Sequence, residues 1–206
     1  MTWRDPSGRT LADYPHPSVA VDVALLTVAD DQLCVLLHQG RSLPGTFLRV
    51  EETLRDAALR VLREKAGVTG EEPRQLAVFD DPARDDRGRV LSVAHVDLVP
   101  AARLTGALTP VDALPPLAFD HAAIVDAAAA WARDAHRDRP DPRGLLDEEF
   151  TLLELQRLHE AVRGGPLPKD TFRRRMQEHL IDTGTLSRGT VGKPARVFRR
   201  APQETP

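Results

Sequence analysis

Residues 43–68 read LPGTFLRVEETLRDAALRVLREKAGV, and the way this stretch folds decides what must surround it. Pro44-Gly45 leads into a short extended piece, Thr46 to Val50, followed by a helix over about Leu54 to Ala66. Thr53 can cap that helix because its hydroxyl reaches the amide three residues on, and Asp56 sits where a carboxylate returns the bond. Gly67 can take the left-handed conformation that ends it. At 100° per residue, Leu54, Ala58, Leu59 and Leu62 fall on the buried side, while Val61, Glu64 and Lys65 line an adjoining edge. Arg60 lies on the far side of Glu64 and can pair with Glu52, bracing the loop against the helix. An amphipathic helix of this kind needs a sheet to cover.

The flanking sequence supplies one. Val19 to Val28 reads as a β-branched strand with Asp30-Asp31 as the turn behind it, and Leu33 to Leu37 as its antiparallel neighbour. Leu76 to Phe79 and Val90 to Val99 read as two more strands around the polar loop Asp80 to Arg89, where Gly88 can supply the turn. A second helix spans His121 to Ala135, capped by Asp120, with Ile124, Ala128, Trp131 and Ala135 as its apolar stripe. This order predicts an α/β (α+β) sandwich rather than a bundle.

A different small unit follows. Arg137 to Arg143 carries Pro140 and Pro142 among charges and no apolar residue, so it reads as a boundary. Thr151 caps a helix with Glu154 three residues on; Leu152, Leu155, Leu158 and Val162 form its stripe, and Gly164-Gly165 end it. Pro168 opens another helix, in which Phe172, Met176 and Leu180 repeat every four residues. Burying Phe172 and Met176 projects Arg173, Arg174 and Gln177 outward. Beyond Gly184, Leu186 and Val197-Phe198 read as a two-stranded ribbon whose loop, Ser187 to Arg196, and arms carry Arg188, Lys193, Arg196, Arg199 and Arg200. Helix, turn, helix, wing is the arrangement that sets one helix in the major groove and rests a ribbon on phosphates. Arg can meet guanine bidentately and Gln can meet adenine, whereas Lys169 and Thr171 at the helix start suit phosphate.

Charge divides the same way. The chain has 28 Lys+Arg against 31 Asp+Glu, but residues 151–200 hold 11 basic and 5 acidic groups, while residues 1–150 hold 17 and 25. A basic segment on an acidic body suggests that the two halves meet different partners. The 206 residues, 41% hydrophobic and 29% charged, have the balance of a globular chain. No window approaches the ~18 apolar residues of a membrane span, and Met1 to Asp13 holds no apolar signal core; cytoplasmic placement without a membrane partner is the expectation. A single cysteine, Cys34, excludes an internal disulfide framework, and its apolar surroundings read as core. His38 and His95 have no second ligand nearby in sequence and read as structural or surface residues.

Residues 43–68 resemble the Nudix box, the loop-helix motif of enzymes that hydrolyse nucleoside diphosphates linked to another group. Glu52, Arg60, Leu62, Glu64, Gly67 and Val68 match its pattern. Thr46 stands at its opening glycine, Val61 at the first glutamate after the arginine, and Lys65 at the last glutamate. The exchanges at Val61 and Lys65 leave only Glu64 of the three helix carboxylates that would hold Mg²⁺, a hard cation that takes oxygen ligands, so no catalytic residue, metal ligand or required cofactor is assigned. An anion-binding pocket remains open as a reading, with Arg41, Glu64, Lys65, Arg84 and Arg87 as its candidate residues. The loop 82–88, PARDDRG, resembles the Arg-Asp-Pro-Arg-Gly loop of Nudix proteins that handle ADP-ribose, with Asp86 where proline is usual.

The segments FTLLELQRLHEAVRG (150–164), FRRRM (172–176) and GKPARVFR (192–199) resemble the winged helix-turn-helix domain of the Nudix-related transcriptional regulators, and LAFDHAAIVDAA (117–128) resembles part of their Nudix-like domain. The resemblance spans about residues 17–200. It implies a Nudix-like effector domain over 15–137, built as an α/β/α sandwich with a mixed sheet, a linker over 138–150, a small winged helix-turn-helix domain over 151–200 and a disordered tail over 201–206. It further implies a homodimeric repressor that grips a palindromic double-stranded DNA operator and answers to a nucleotide such as ADP-ribose. Lys169, Thr171, Arg173, Arg174 and Gln177 would then meet DNA from the helix, and Arg188, Lys193 and Arg196 from the wing. The rival readings are a metal-dependent Nudix hydrolase of ADP-ribose or a related nucleoside diphosphate derivative with an accessory basic domain, and a nucleotide-responsive adaptor whose arginine helix grips an acidic protein.

Overall fold

The computed structural model describes residues 3–187 and 194–202. Its organising element is β1, Ser18–Ala29, in which every residue from 20 to 27 is buried. Alternation along the strand divides this run between two cores. Val21, Val23 and Leu25 pack with Ala58, Val61 and Leu62 of α1, Leu54–Val61, and the turn that continues it. Ala24 and Leu26 join Ile124, Val125, Ala128 and Ala132 of α2, His121–Ala135. A strand covered on both faces reads as a near-continuous apolar run, and Asp22 is the charged exception.

Around β1 lie β2, Gln32–Leu37, β3, Gly45–Phe47, β4, Arg74–Phe79, β5, Val90–Leu98, and β6, Ala107–Pro110. The order is β4-β5-β1-β2-β6, with β3 also paired to β1; β1 and β5 run parallel and every other pairing is antiparallel. This is the predicted mixed-sheet α/β/α sandwich. The third strand is shorter than predicted. Strand β6 was not predicted at all, because four residues ending in Pro110 give little periodicity and suit only a sheet edge.

Thr53 and Asp56 form the predicted reciprocal cap of α1. The α-helix stops at Val61, however, and Leu62–Ala66 widens into a π turn closed by Gly67 at φ 68°. Asp120 stands before α2 but makes no side-chain cap there; its carboxylate is taken instead by Arg84, at 2.9 and 2.6 Å.

The C-terminal unit consists of β7, Phe150–Thr151, α3, Leu152–Arg163, α4, Lys169–Gln177, β8, Leu180–Leu186, and β9, Arg196–Arg200. The ribbon is three-stranded, in the order β7-β9-β8. Leu180 opens β8 rather than extending the α4 stripe, since the helix ends at Gln177. Phe150, Leu155, Leu158, Phe172 and Met176 continue the core that holds α2. The stretch between the units is packed: Asp141 is buried and accepts from the amides of Leu145 and Leu146 at 2.9 Å each, and from Arg200. Of the predicted tail, residues 203–206 lie outside the described residues; Ala201 donates its amide to His179 at 3.0 Å. Cys34 is buried, and so is His95. Among the described residues no helix is long and apolar enough to cross a membrane.

Candidate functional site: a nucleotide-sized pocket and an arginine helix

A cavity of about 340 Å³ opens where β1, β3, the Lys65 turn, the loop between β4 and β5, and the start of α2 meet. The chain packs closely at its floor: a Cβ on Gly45 would stand 1.9 Å from the Asp22 carboxylate, so a side chain there would have to displace Asp22. Asp22 accepts from the Ser92 hydroxyl at 2.6 Å and lies 3.8 Å from Arg84 and 3.6 Å from His121 Nε2. His121 Nδ1 accepts the Leu43 amide at 2.9 Å, which leaves the proton of the neutral ring on Nε2, and burial pushes its pKa down.

At the mouth of the cavity, Phe47 and Phe119 flank Arg87, whose guanidinium carbon lies 5.7 and 5.0 Å from their ring centroids. Phe119 is 47% exposed and adopts φ 55°, a left-handed conformation that a bulky residue takes only under constraint. Arg87 also grips Asp85 bidentately at 2.9 and 2.7 Å, and holds that carboxyl down to about 2. Lys65 donates to the Gly45 carbonyl.

Of the five pocket candidates, the structure brings Lys65, Arg84 and Arg87 to one wall. Arg84 is buried and committed to Asp120. Arg41 is exposed outside the cavity lining, and Glu64 is exposed 3.8 Å from Arg60. Sequence reasoning missed Asp22, Phe47, Phe119 and His121. The available signal was the scarcity of aromatics: two of only six phenylalanines bracket an arginine.

The residues of the Nudix box do not fit a divalent ion. Val61 is buried in the core, Lys65 brings a cation, and Glu52 is locked to Arg60 by bonds of 2.6 and 2.7 Å, which hold its carboxyl down to about 2. Arg60 also donates to Thr46 Oγ1 at 3.0 Å, so the residue at the opening-glycine position has become part of the brace. Among the described residues no three His, Cys, Asp or Glu side chains gather as a metal site.

The second site is α4. Phe172 and Met176 are buried, and Lys169, Thr171, Arg173, Arg174 and Gln177 are exposed on its other faces. On the ribbon Arg196 is exposed but pairs with Asp182 at 3.0 Å. Arg188 and Lys193 lie outside the described residues. Arg199 and Arg200 are not free wing cations: Arg199 reaches Glu149 at 2.7 Å, and Arg200 binds the buried Asp141 and packs 5.1 Å from the Phe150 ring.

A sequence model of the NUDIX domain matches residues 16–146, and one of the NrtR DNA-binding winged helix domain matches residues 142–200. The chain is 33% identical over 214 residues to the ADPR responsive transcriptional repressor NtrR of Acinetobacter baylyi, covering 94% of this chain and 86% of that protein. It belongs to the Nudix-related transcriptional regulators. Among solved structures it is similar to Shewanella oneidensis NrtR complexed with a 27mer DNA, at TM-score 0.75 and 32% identity over 88% of this chain and 93% of that one. The NUDIX domain of the same protein complexed with ADP ribose matches at TM-score 0.50 and 28% identity, over 61% of this chain and 94% of that one. Membership in this family agrees with the exchanged box: the Nudix domain here is degenerate, a regulatory relative of the hydrolases joined to a DNA-binding winged helix.

Proposed function

We propose that this protein is a homodimeric repressor of the cytoplasm that holds a palindromic operator and lets go when ADP-ribose fills the pocket beside β3. The observation that carries the reading is the pairing, on one continuous core, of a nucleotide-sized pocket stripped of metal ligands with a helix that turns arginines outward. The pocket has the parts a dinucleotide-like ligand needs. Phe47 and Phe119 offer faces for a base, and Lys65 and Arg87 offer charge to a pyrophosphate, Lys65 in the position where the box would otherwise carry a metal-holding glutamate. On the DNA side, Arg173, Arg174 and Gln177 are the groove readers, with Lys169, Thr171 and the wing residues Arg188, Lys193 and Arg196 for phosphate. The segment 138–150 is then the link between sensor and reader. The effector works only if it binds one arrangement of the domains better than the other, and DNA must weaken its binding by the same factor.

A mobility-shift titration with the protein's own upstream DNA, with and without ADP-ribose, tests both halves. The expected result is a salt-sensitive, sequence-preferring complex that dissolves as ADP-ribose is added. Binding to every duplex alike would favour a general polyanion surface. Mg²⁺-dependent turnover of ADP-ribose that is abolished in Glu64→Gln would instead restore the hydrolase reading.

A further inference from the structure

Arg173 and Arg174 face outward, but their neighbour Arg175 does not. It turns toward the end of α2, where a second cavity, of about 240 Å³, lies between the two domains. Among the described residues, six of the eight in its wall are Arg133, His136, Arg137, His159, Arg163 and Arg175, and no acid lines it. The acids nearby are committed: Asp134 to Arg137 at 2.7 Å, Asp112 near Arg133 at 3.6 Å, and Asp141 to Arg200 and two backbone amides. Among the described residues, Arg163 and Arg175 have no carboxylate within 4.0 Å.

Two buried polar atoms of this wall lack a hydrogen-bond partner among the described residues, Arg175 Nε and His136 Nε2. Their needs are opposite. The guanidinium N–H requires an acceptor. His136, only 3% exposed, has Nδ1 at 2.9 Å from the Ala132 carbonyl, so Nδ1 carries the proton and Nε2 presents a bare lone pair that requires a donor. Buried groups left this way call for a partner, and a bound ligand can be one. A singly protonated phosphate supplies both partners: its anionic oxygens accept from arginine, and its P–OH donates to the imidazole.

We propose that this junction is a binding site for a phosphate group, either the free ion or a monoester carried by a small metabolite. Its wall draws on α2, α3 and α4 at once. The edge-on rings of His136, His159 and Phe172, with centroids 5.4 and 4.9 Å apart, lead from it into the core of the DNA-binding unit. The site is separate from the pocket beside β3 and stands whether or not that pocket takes ADP-ribose.

Calorimetric titration of the full chain with inorganic phosphate and, separately, with ribose 5-phosphate tests it. Saturable binding of one or both probes is expected, and which of them binds identifies the free ion or the monoester. Affinity should fall about tenfold or more in Arg163→Gln and in Arg175→Gln, the loss expected for a charge-assisted hydrogen bond, while Arg199→Ala, outside both cavities, binds as the unaltered chain does. Arg163 is exposed, so its exchange spares the fold even if that of Arg175 does not. Failure of both probes to saturate would overturn the proposal. So would wild-type affinity in Arg163→Gln, or a loss confined to Lys65→Ala, which would assign the phosphate to the other pocket.

Discussion

Arg84 lies almost fully buried in the N-terminal domain, bound at two points by Asp120 and 3.8 Å from Asp22. Arg173 and Arg174 of α4 stand exposed, and among the described residues neither has a carboxylate within 4.0 Å. The same side chain therefore does two kinds of work, and the supply of acids separates them. Residues 1–150 hold more acids than bases, so a buried arginine there finds a partner; residues 151–200 hold more than twice as many bases as acids. A paired, buried arginine contributes to the fold. An unpaired, exposed one is available to another molecule.

The largest effect expected from this contrast is on stability. Arg84→Met removes one partner of a buried pair and leaves Asp22 and Asp120 without their cation, a change that costs about 3–5 kcal/mol when such pairs are broken. Urea denaturation should register that loss. A midpoint shift close to zero would mean that Arg84 is as dispensable as a surface arginine, and the contrast would fail.

Histidine supplies the next test, because a buried base without a committed acid should stay neutral. Burial holds the pKa of His159 down to about 4, and those of His121 and His136 below their ordinary values. The unfolded chain takes up a proton at His159 from about pH 6.5 downward, whereas the folded chain resists until about 4. Stability is therefore full above the unfolded value, falls as the pH drops through this window, and loses nothing more at this site below it. For His159 the loss is roughly 3 kcal/mol. Glu52 and Asp85, both held down to about 2, lose their contributions at lower pH, from the ordinary carboxylate values of about 4 down to about 2. Melting temperatures between pH 7 and 4 should show the first decline, and His159→Gln should flatten it. An unchanged slope in that variant would remove His159 from the account.

On the exposed side, Arg174→Ala should leave the unfolding free energy in urea within about 0.5 kcal/mol of the unaltered chain while weakening operator binding by about 1–3 kcal/mol, roughly five- to 150-fold. Arg199→Ala is the matched control, since Arg199 already spends its charge on Glu149. If both variants lost the same operator affinity, pairing would not decide which arginines meet DNA.

Much of this was legible before the structure. The two capping boxes, Thr53 with Asp56 and Thr151 with Glu154, are local in sequence and form as read. The outward turn of Arg173 and Arg174 followed from burying Phe172 and Met176 on a helix of known period. What could not be read depends on distant partners. Asp120 looked like a helix cap until Arg84, 36 residues away, claimed it. Arg200 looked like a wing cation until the buried Asp141, 59 residues away, claimed it. The aromatic mouth of the pocket joins Phe47 and Phe119 through Arg87, a strand end and two loops whose meeting no periodicity encodes.

The smallest effect bears on whether the two regions are energetically separate at all. Ala24 and Leu26 of β1, Val125 and Ala129 of α2, Leu155 of α3, and Phe172 and Met176 of α4 belong to one core. Thr53→Ala and Thr151→Ala each remove a single capping hydroxyl, on opposite sides of the junction, at a cost of about 1 kcal/mol. If the shared core makes the chain unfold as one unit, both exchanges must lower the same single transition by similar amounts, whether it is followed through Trp131 on α2 or through a label on the ribbon. If instead Thr151→Ala splits the curve, so that the arginine helix melts first while α2 holds, the junction is soft. The contrast between folding arginines and binding arginines would then also be one between a firm body and a reading head that comes loose on its own.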